Sequence, residues 1–408
     1  MLSVHSCPLG KVGGESTGGM SVYIREVARE LGRRGHLVDV YTRTHEPIHD
    51  QVVEIGQNVR LIHLKAGAEK IQKLAIFYHL ADFAHDLENF RKRNGLHYDL
   101  IHSHYWLSGL AGKRLQQRWG IPHIMGFHTL GAVKNAIGIG EDEPKFRINA
   151  EKELVRDCHR IIASTEKGKE DLIYYYDAAP ETITVIPCGV NLDLFRPIKR
   201  EIARCHLGLN GESIILFVGR IVPLKGIDNL LKAMAYMERK RRIKLVVIGG
   251  DEHSQAEMQR LENLSRSLEI RESVIFLGLV KQEMLPFFYS AADVCVVPSY
   301  HESFGLVVLE SLACGTPVVA TKVGGAESVI RHGETGYVVM DNDPYRLADN
   351  IALFLSTPKG NMAFVDSVRA SVTKYSWSNI TEAIIAEYRG VLRDFYAKAC
   401  KGTQEFRV

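Results

Sequence analysis

Two carboxylates with seven residues between them, Glu302 and Glu310, bracket the part of the chain best suited to chemistry, VCVVPSYHESFGLVVLESLACG from Val294 to Gly315. The apolar run Val294–Val297 ends at Pro298 and reads as a buried parallel strand. A polar turn, Ser299–Ser303, follows it. Leu306 to Cys314 then has helical spacing, with Gly315 closing the helix. A turn in that position lies at the carboxyl end of a strand, where open α/β sheets bind ligands. The helix start offers free backbone N–H groups and a partial positive charge, which suits an anion. A carboxylate in such a crevice does not bind the anion. It suits neutral hydroxyl groups, whose protons it can accept. The pattern therefore fits a phosphate flanked by sugar hydroxyls. A helix N-terminal acid followed by an ordinary surface glutamate would look the same, and spacing leaves both readings open.

A second cluster, Arg220 and Lys225 in GRIVPLKG (219–226), directly follows the apolar run Ile214–Val218. A guanidinium fork with a compact ammonium suits a diphosphate. Two solvated surface cations would also account for the pair in isolation, and the spacing is not that of a P-loop. Near the start, Gly13-Gly14-Glu15-Ser16-Thr17-Gly18-Gly19 feeds a helical pattern from Met20 to Leu31. Glycines at such a junction let backbone N–H groups come close to a phosphate. Two further polar clusters end predicted strands, His102-Ser103-His104-Tyr105-Trp106 and Phe127-His128-Thr129, the latter followed by Lys134-Asn135. No carboxylate or thiol stands beside these histidines at ligand spacing, so they read as the lining of a polar cleft rather than a metal site.

Glu302-Ser303-Phe304-Gly305 through Glu310, followed by Gly315-Thr316-Pro317-Val318-Val319, resembles the signature of the retaining glycosyltransferases of family 4. That family has the GT-B fold, α/β with two Rossmann-like, doubly wound parallel-sheet domains facing across a cleft. The resemblance implies a hexosyltransferase that moves glucose or N-acetylglucosamine from a UDP-sugar to a small, phosphorylated polyol or sugar, keeping the anomeric configuration. It places Arg220 and Lys225 on the donor diphosphate with the backbone of Ser303, Phe304, Gly305 and Leu306. Glu310 would accept from the ribose, Glu302 from the transferred sugar, and Val280, in the loop Gly278-Leu279-Val280, would lie against the base. Gly19 and His128 come from the first domain, His128 near the far hydroxyls of the sugar. His128, Arg220, Lys225 and Glu302 form the implied catalytic set, with no side chain placed as a nucleophile.

The similarity extends nearly end to end to the inositol-phosphate N-acetylglucosaminyltransferases of mycothiol biosynthesis and, at greater distance, to sucrose-phosphate synthases. It implies that Tyr105, Thr129 and Arg147 hold an acceptor phosphate together with Lys70. Ser21 stands where the former enzymes have an asparagine facing the acceptor, and the segment around Lys70 is shorter. Alternatives within the fold are a GDP-mannose or ADP-glucose donor, or a lipid-linked acceptor at a membrane. A sugar-nucleotide binding module without catalysis is the rival of another class, disfavoured by the intact acidic and basic positions.

The rest of the chain must position these groups. Predicted strands at Leu37–Thr42, Val59–Leu64, Leu100–His104, His123–His128, Arg160–Ser164 and Ile183–Pro187 alternate with helical stretches at Ile71–Arg91 and Leu107–Arg118. Beyond a Pro- and Gly-marked break at 186–197 the alternation resumes, with strands at Ile214–Val218, Leu245–Ile248, Val274–Leu277, Val294–Val297, Val318–Ala320 and Tyr337–Val339. Alternation of this kind means βα units and mostly parallel sheets. At 408 residues the chain suits two domains, 1–195 for the acceptor and 196–379 for the nucleotide-sugar. The last helical pattern, Ile380–Lys401, is expected to cross back onto the first. Met1–Ser6 reads as a first strand, which related enzymes begin a few residues earlier. A net charge of +3 argues for neither nucleic acid nor an anionic membrane as partner. The odd, scattered set of seven cysteines reads as buried thiols in the cytoplasm. No divalent metal or other cofactor is called for, no run is long enough to span a bilayer, and a homodimer is compatible with the pattern.

Overall fold

The computed structural model describes residues 1–10, 18–45, 50–209, 211–237, 242–356 and 362–405, with side chains to 398. The glycine-rich positions 13–17 lie outside the described residues. The chain divides into two compact units, Met20–Pro187 with Met1–Gly10 and the C-terminal segment from Ser378, and Cys188–Trp377 with the described Gly18 and Gly19. The change therefore comes at Pro187/Cys188, earlier than the expected 195/196, because Val190 pairs with Ser376 and its N–H bonds Tyr375, tying the connection to the second unit.

In the first unit β1 (Val38–Arg43), β2 (Val52–Gly56) and β3 (Val59–Leu64) form one ladder set, ordered β1-β3-β2. A second set, β4 (Ile101–His104), β5 (His123–Gly126), β6 (Arg160–Ala163) and β7 (Ile183–Val185), runs in sequence order. Leu2 bridges both Tyr41 of β1 and Ser103 of β4 in parallel fashion, so the start of the chain joins the two sets. The expected strand at 1–6 is thus an isolated bridge. All pairs are parallel except β2 with β3. The sequence reading missed β2, an edge strand that is mostly exposed and so carries no apolar run. The expected helix from Ile71 is a 3₁₀ segment, Lys73–His79, then an α-helix, Leu80–Arg93. β4 and β5 are wholly buried, and Leu2, Val4, Tyr41, Phe83, Trp106, Leu107 and Met125 belong to the core that the helices cover. The helix Trp377–Glu405 packs into this unit from Ser378 onward. Tyr388 Oη meets His102 Nδ1 at 2.7 Å, and Glu387 accepts from Thr184 at 3.0 Å.

The second unit holds one six-stranded sheet of β8 (Ser213–Val218), β9 (Ile243–Ile248), β10 (Val274–Gly278), β11 (Val294–Val297), β12 (Val318–Thr321) and β13 (Gly336–Val339). Its order is β10-β9-β8-β11-β12-β13, every pair parallel. This is the doubly wound order 3-2-1-4-5-6, which reverses between β8 and β11. The crevice at the carboxyl ends of those two strands is where such sheets take their ligands.

Candidate active site

The loops that leave β8 and β11 carry the basic and acidic clusters, so the switch of strand order brings Arg220, Lys225 and Glu302 to one edge of the second unit. After β8, Pro223–Lys225 makes one 3₁₀ turn ending at Gly226, which has φ +64°. A Cβ at Gly226 would lie 2.0 Å from the carbonyl oxygen of Pro298. Only glycine lets the two loops approach so closely. Tyr300 N–H donates to the Leu224 carbonyl at 2.9 Å. Asn229 Nδ2 donates to Tyr300 Oη at 2.7 Å and to the Asn342 carbonyl at 2.9 Å. Asn342 in turn donates to Pro298 O. The outcome is a short ion pair between Lys225 Nζ and Glu302 Oε1, with Ser299 Oγ donating to the same oxygen at 3.0 Å. Burial pushes the Glu302 carboxyl up, but the charge of Lys225 and the two donors outweigh it and hold the group below its ordinary range. Arg220 is exposed, and no acid among the described residues pairs with it.

The turn continues into helix Leu306–Ala313 through Gly305, at φ +95°. Phe304 packs on Gly325, whose N–H donates to the Phe304 carbonyl at 2.8 Å. The turn therefore has a fixed floor, and it leads into a helix start, where the first amides lack intrahelical partners. Glu310 lies in this helix, 8% exposed, with Tyr289 Oη donating to its Oε2 at 2.8 Å. Burial raises its carboxyl to about 7, against the opposing hydrogen bond from Tyr289. Val280 is half-buried in the loop after β10, beside the exposed Leu279.

In the first unit the polar groups gather where Leu2 joins the two ladder sets, again at a reversal of strand order. Tyr105 follows β4 with φ +75°, and His128 follows β5 with φ +59°. Left-handed backbone at non-glycine residues costs energy and is retained where the surroundings impose it, commonly at functional sites. Arg147, fully buried, donates from Nη2 to Thr129 Oγ1 at 3.1 Å and to the Thr129 carbonyl at 3.2 Å. Its guanidinium lies 4.9 Å from the centre of the Tyr105 ring. Tyr105, Thr129 and Arg147 are thus brought together. Tyr105 Oη is buried and has no hydrogen-bond partner among the described residues, and burial pushes it up to about 12. Lys70 is exposed. The ammonium over the Tyr105 ring, 4.5 Å from its centre, is that of Lys73. Ser21 is buried, its hydroxyl 2.6 Å from that of Ser6. His128 Nε2 lies 3.0 Å from His104 Nδ1, and burial lowers His128 to about 4, so the ring is neutral near pH 7.

Sequence reasoning overlooked four participants here. Glu143 and Glu151 flank Arg147 one helical turn away on each side, Glu143 Oε1 as an ion pair 2.7 Å from Nη1 and Glu151 Oε1 accepting from Nε at 2.8 Å. That i±4 spacing was readable as an arginine held from both sides. Asn135 clamps Glu143 by two backbone bonds, at 2.9 and 2.7 Å. Lys73 and Tyr289 had no local signal, since each reaches its partner only through the fold. Among the described residues no cluster of His, Cys, Asp and Glu could hold a metal ion. The six described cysteines form no disulfide with one another, and no described helix is long and apolar enough to cross a membrane.

Two doubly wound α/β units, each with a polar site at its reversal of strand order, define a GT-B type of glycosyltransferase. Comparisons with known proteins agree. The family model for glycosyl transferases group 1 matches residues 199–370, and that for glycosyltransferase family 4 matches residues 17–194. The chain is 38% identical to D-inositol 3-phosphate glycosyltransferase 2 of Catenulispora acidiphila, covering 98% of both chains. It is also 38% identical to D-inositol 3-phosphate glycosyltransferase of Corynebacterium diphtheriae, covering 95% of this chain and 93% of that one. Among solved structures, sucrose-phosphate synthase of Thermosynechococcus elongatus superposes with a TM-score of 0.88 at 34% identity, over 96% of this chain and 98% of that one. The chain belongs to the group 1, family 4 glycosyltransferases and is a hexosyltransferase.

Proposed function

We propose that this enzyme transfers glucose or N-acetylglucosamine from a UDP-sugar to a hydroxyl of a small phosphorylated polyol or sugar, inositol phosphate being the representative acceptor. The observation that carries the acceptor class is the cluster of Tyr105, Thr129, Arg147 and Lys73. It combines two cations, a hydroxyl and a buried phenol without a partner. A phosphate is the natural occupant of such a set. The names of the relatives support it, since an inositol phosphate and a sucrose phosphate both figure there.

On the second unit, Arg220 and Lys225 take the donor diphosphate with the free amides that open helix Leu306–Ala313. The diphosphate draws Lys225 from Glu302 and leaves that carboxylate to accept from the sugar hydroxyls. Glu310 accepts from the ribose, and Val280 lies against the base. Gly19, which groups with the second unit, approaches the donor, neutral His128 of the first unit serves the far hydroxyls of the sugar, and Ser21 belongs with the acceptor residues. No metal ion is required. Charge builds on the leaving phosphate as the glycosidic bond breaks, and Arg220 and Lys225 stabilise it while it takes the proton of the attacking hydroxyl, with retention at the anomeric carbon.

The test is a set of initial rates with UDP-glucose, UDP-N-acetylglucosamine, GDP-mannose and ADP-glucose, each against inositol phosphate, with NMR of the anomeric proton in the product. Transfer from a UDP-sugar to give an α-linkage is expected. Turnover confined to the GDP or ADP donor, or a β-linked product, would overturn the reading.

A further inference from the structure

Among the described residues no cation pairs with Glu310 in the second unit's crevice. Its helix, Leu306–Ala313, packs beside the short helix Leu285–Ala291, which supplies Tyr289. Tyr289 is fully buried, its carbonyl accepts from Thr316 Oγ1 at 2.6 Å, and its ring meets Phe195 edge-on at 6.1 Å. The backbone and the ring are therefore both held where the hydroxyl donates to Glu310 Oε2 at 2.8 Å. Among the described residues nothing donates to Oε1. One carboxylate oxygen is anchored in the protein and the other is left for a ligand. An untethered glutamate would have to freeze its rotamers on binding. Here the fold has already imposed that order.

We propose that Tyr289 is a positioning residue for the donor: its hydroxyl locks the Glu310 carboxylate in the orientation that receives the ribose hydroxyls. This rests on the donor reading above and extends it to a residue remote from the phosphate loops. The hydrogen bond favours the ionised carboxylate, opposing burial. The titratable and charged groups that face Glu310 are Tyr289, Cys295 of β11 and Cys314 at the end of its own helix, with Arg369 bonded to the Ala313 carbonyl beyond. Removing the tyrosine hydroxyl thus raises the pH at which Glu310 takes up a proton.

The experiment measures binding of UDP, ADP, GDP and their 2′,3′-dideoxy forms to wild type, Tyr289→Phe, Glu310→Gln and the double variant by titration calorimetry. The proposal predicts that Tyr289→Phe weakens the preferred nucleotide ~10-fold, close to the worth of one hydrogen bond to a charged group. Its dideoxy form should change less than twofold. The double variant should bind no more weakly than Glu310→Gln, and the acid limb of nucleotide affinity should move to higher pH in Tyr289→Phe. Equal loss for the ribose and dideoxy forms would show a merely structural role and overturn the proposal. So would unchanged affinity in Tyr289→Phe where Glu310→Gln binds weakly. Wild-type affinity in Glu310→Gln would instead refute the donor reading of Glu310 itself.

Discussion

Lys225 and Glu302 neutralise each other before any substrate arrives, and much of the chemistry follows from that pairing. The pair is partly buried, with side-chain exposures of 15% and 17%, so its worth lies between that of an open surface pair and a sealed one. Ser299 remains to support Glu302 when Lys225 turns to the diphosphate. Lys225→Ala and Glu302→Ala should therefore fold, yet each lose ~10²–10³ in turnover, the usual cost of one preorganised electrostatic group. Circular dichroism with steady-state rates checks this, and wild-type turnover in either folded variant would remove that residue from the mechanism. The carboxyl of Glu302 lies lower in the folded chain than when unfolded. Its contribution to stability is therefore complete above the unfolded value, about 4.3, and fades as pH falls through the folded one. Glu302→Gln should unfold at lower temperature than wild type at pH 6, with the gap closing below about pH 4. A constant gap in calorimetry would contradict the ion-pair account.

At the level of elements, the loops matter through their backbones. Gly226 combines a left-handed φ with a carbonyl 2.0 Å from where a Cβ would sit. Gly226→Ala should cost about 1–3 kcal/mol in strain alone, and more in donor affinity, because relieving the contact separates Lys225 from the Ser299–Ser303 turn. Thermal unfolding and nucleotide titration of this variant test that separation, which normal affinity would refute. These elements were largely legible beforehand. Val294–Val297 and the helix from Leu306 read from an apolar run followed by a helical period, and the core strands stand within a few residues of their expected bounds. What escaped has a physical reason. β2 is an exposed edge without an apolar run, and the Lys73–His79 turn is 3₁₀, whose period sequence does not distinguish from the α-helix that follows it. Lys73 opens that turn, and its ammonium lies 4.5 Å from the centre of the Tyr105 ring. Glu143 and Glu151 were readable from spacing around Arg147, whereas Tyr289 meets Glu310 only through helix packing.

For the whole molecule, the strand order in each unit explains why residues far apart in sequence share a site. In the second unit the reversal between β8 and β11 gathers positions 220, 225 and 302. In the first, Leu2 stands between β1 and β4 and sets Tyr105 at the corresponding place. Each unit has its own buried core, so variants in one site leave the other folded. The division of labour, donor on one unit and phosphorylated acceptor on the other, is the central claim. The most direct measurement is kcat/KM of the wild-type enzyme for inositol phosphate and for inositol, with a saturating UDP-sugar. Loss of charge-assisted bonds to the phosphate, each worth about 1.5–3 kcal/mol, predicts at least ~10² in favour of the phosphorylated acceptor. Equal values for the two, or transfer to inositol alone, would contradict it.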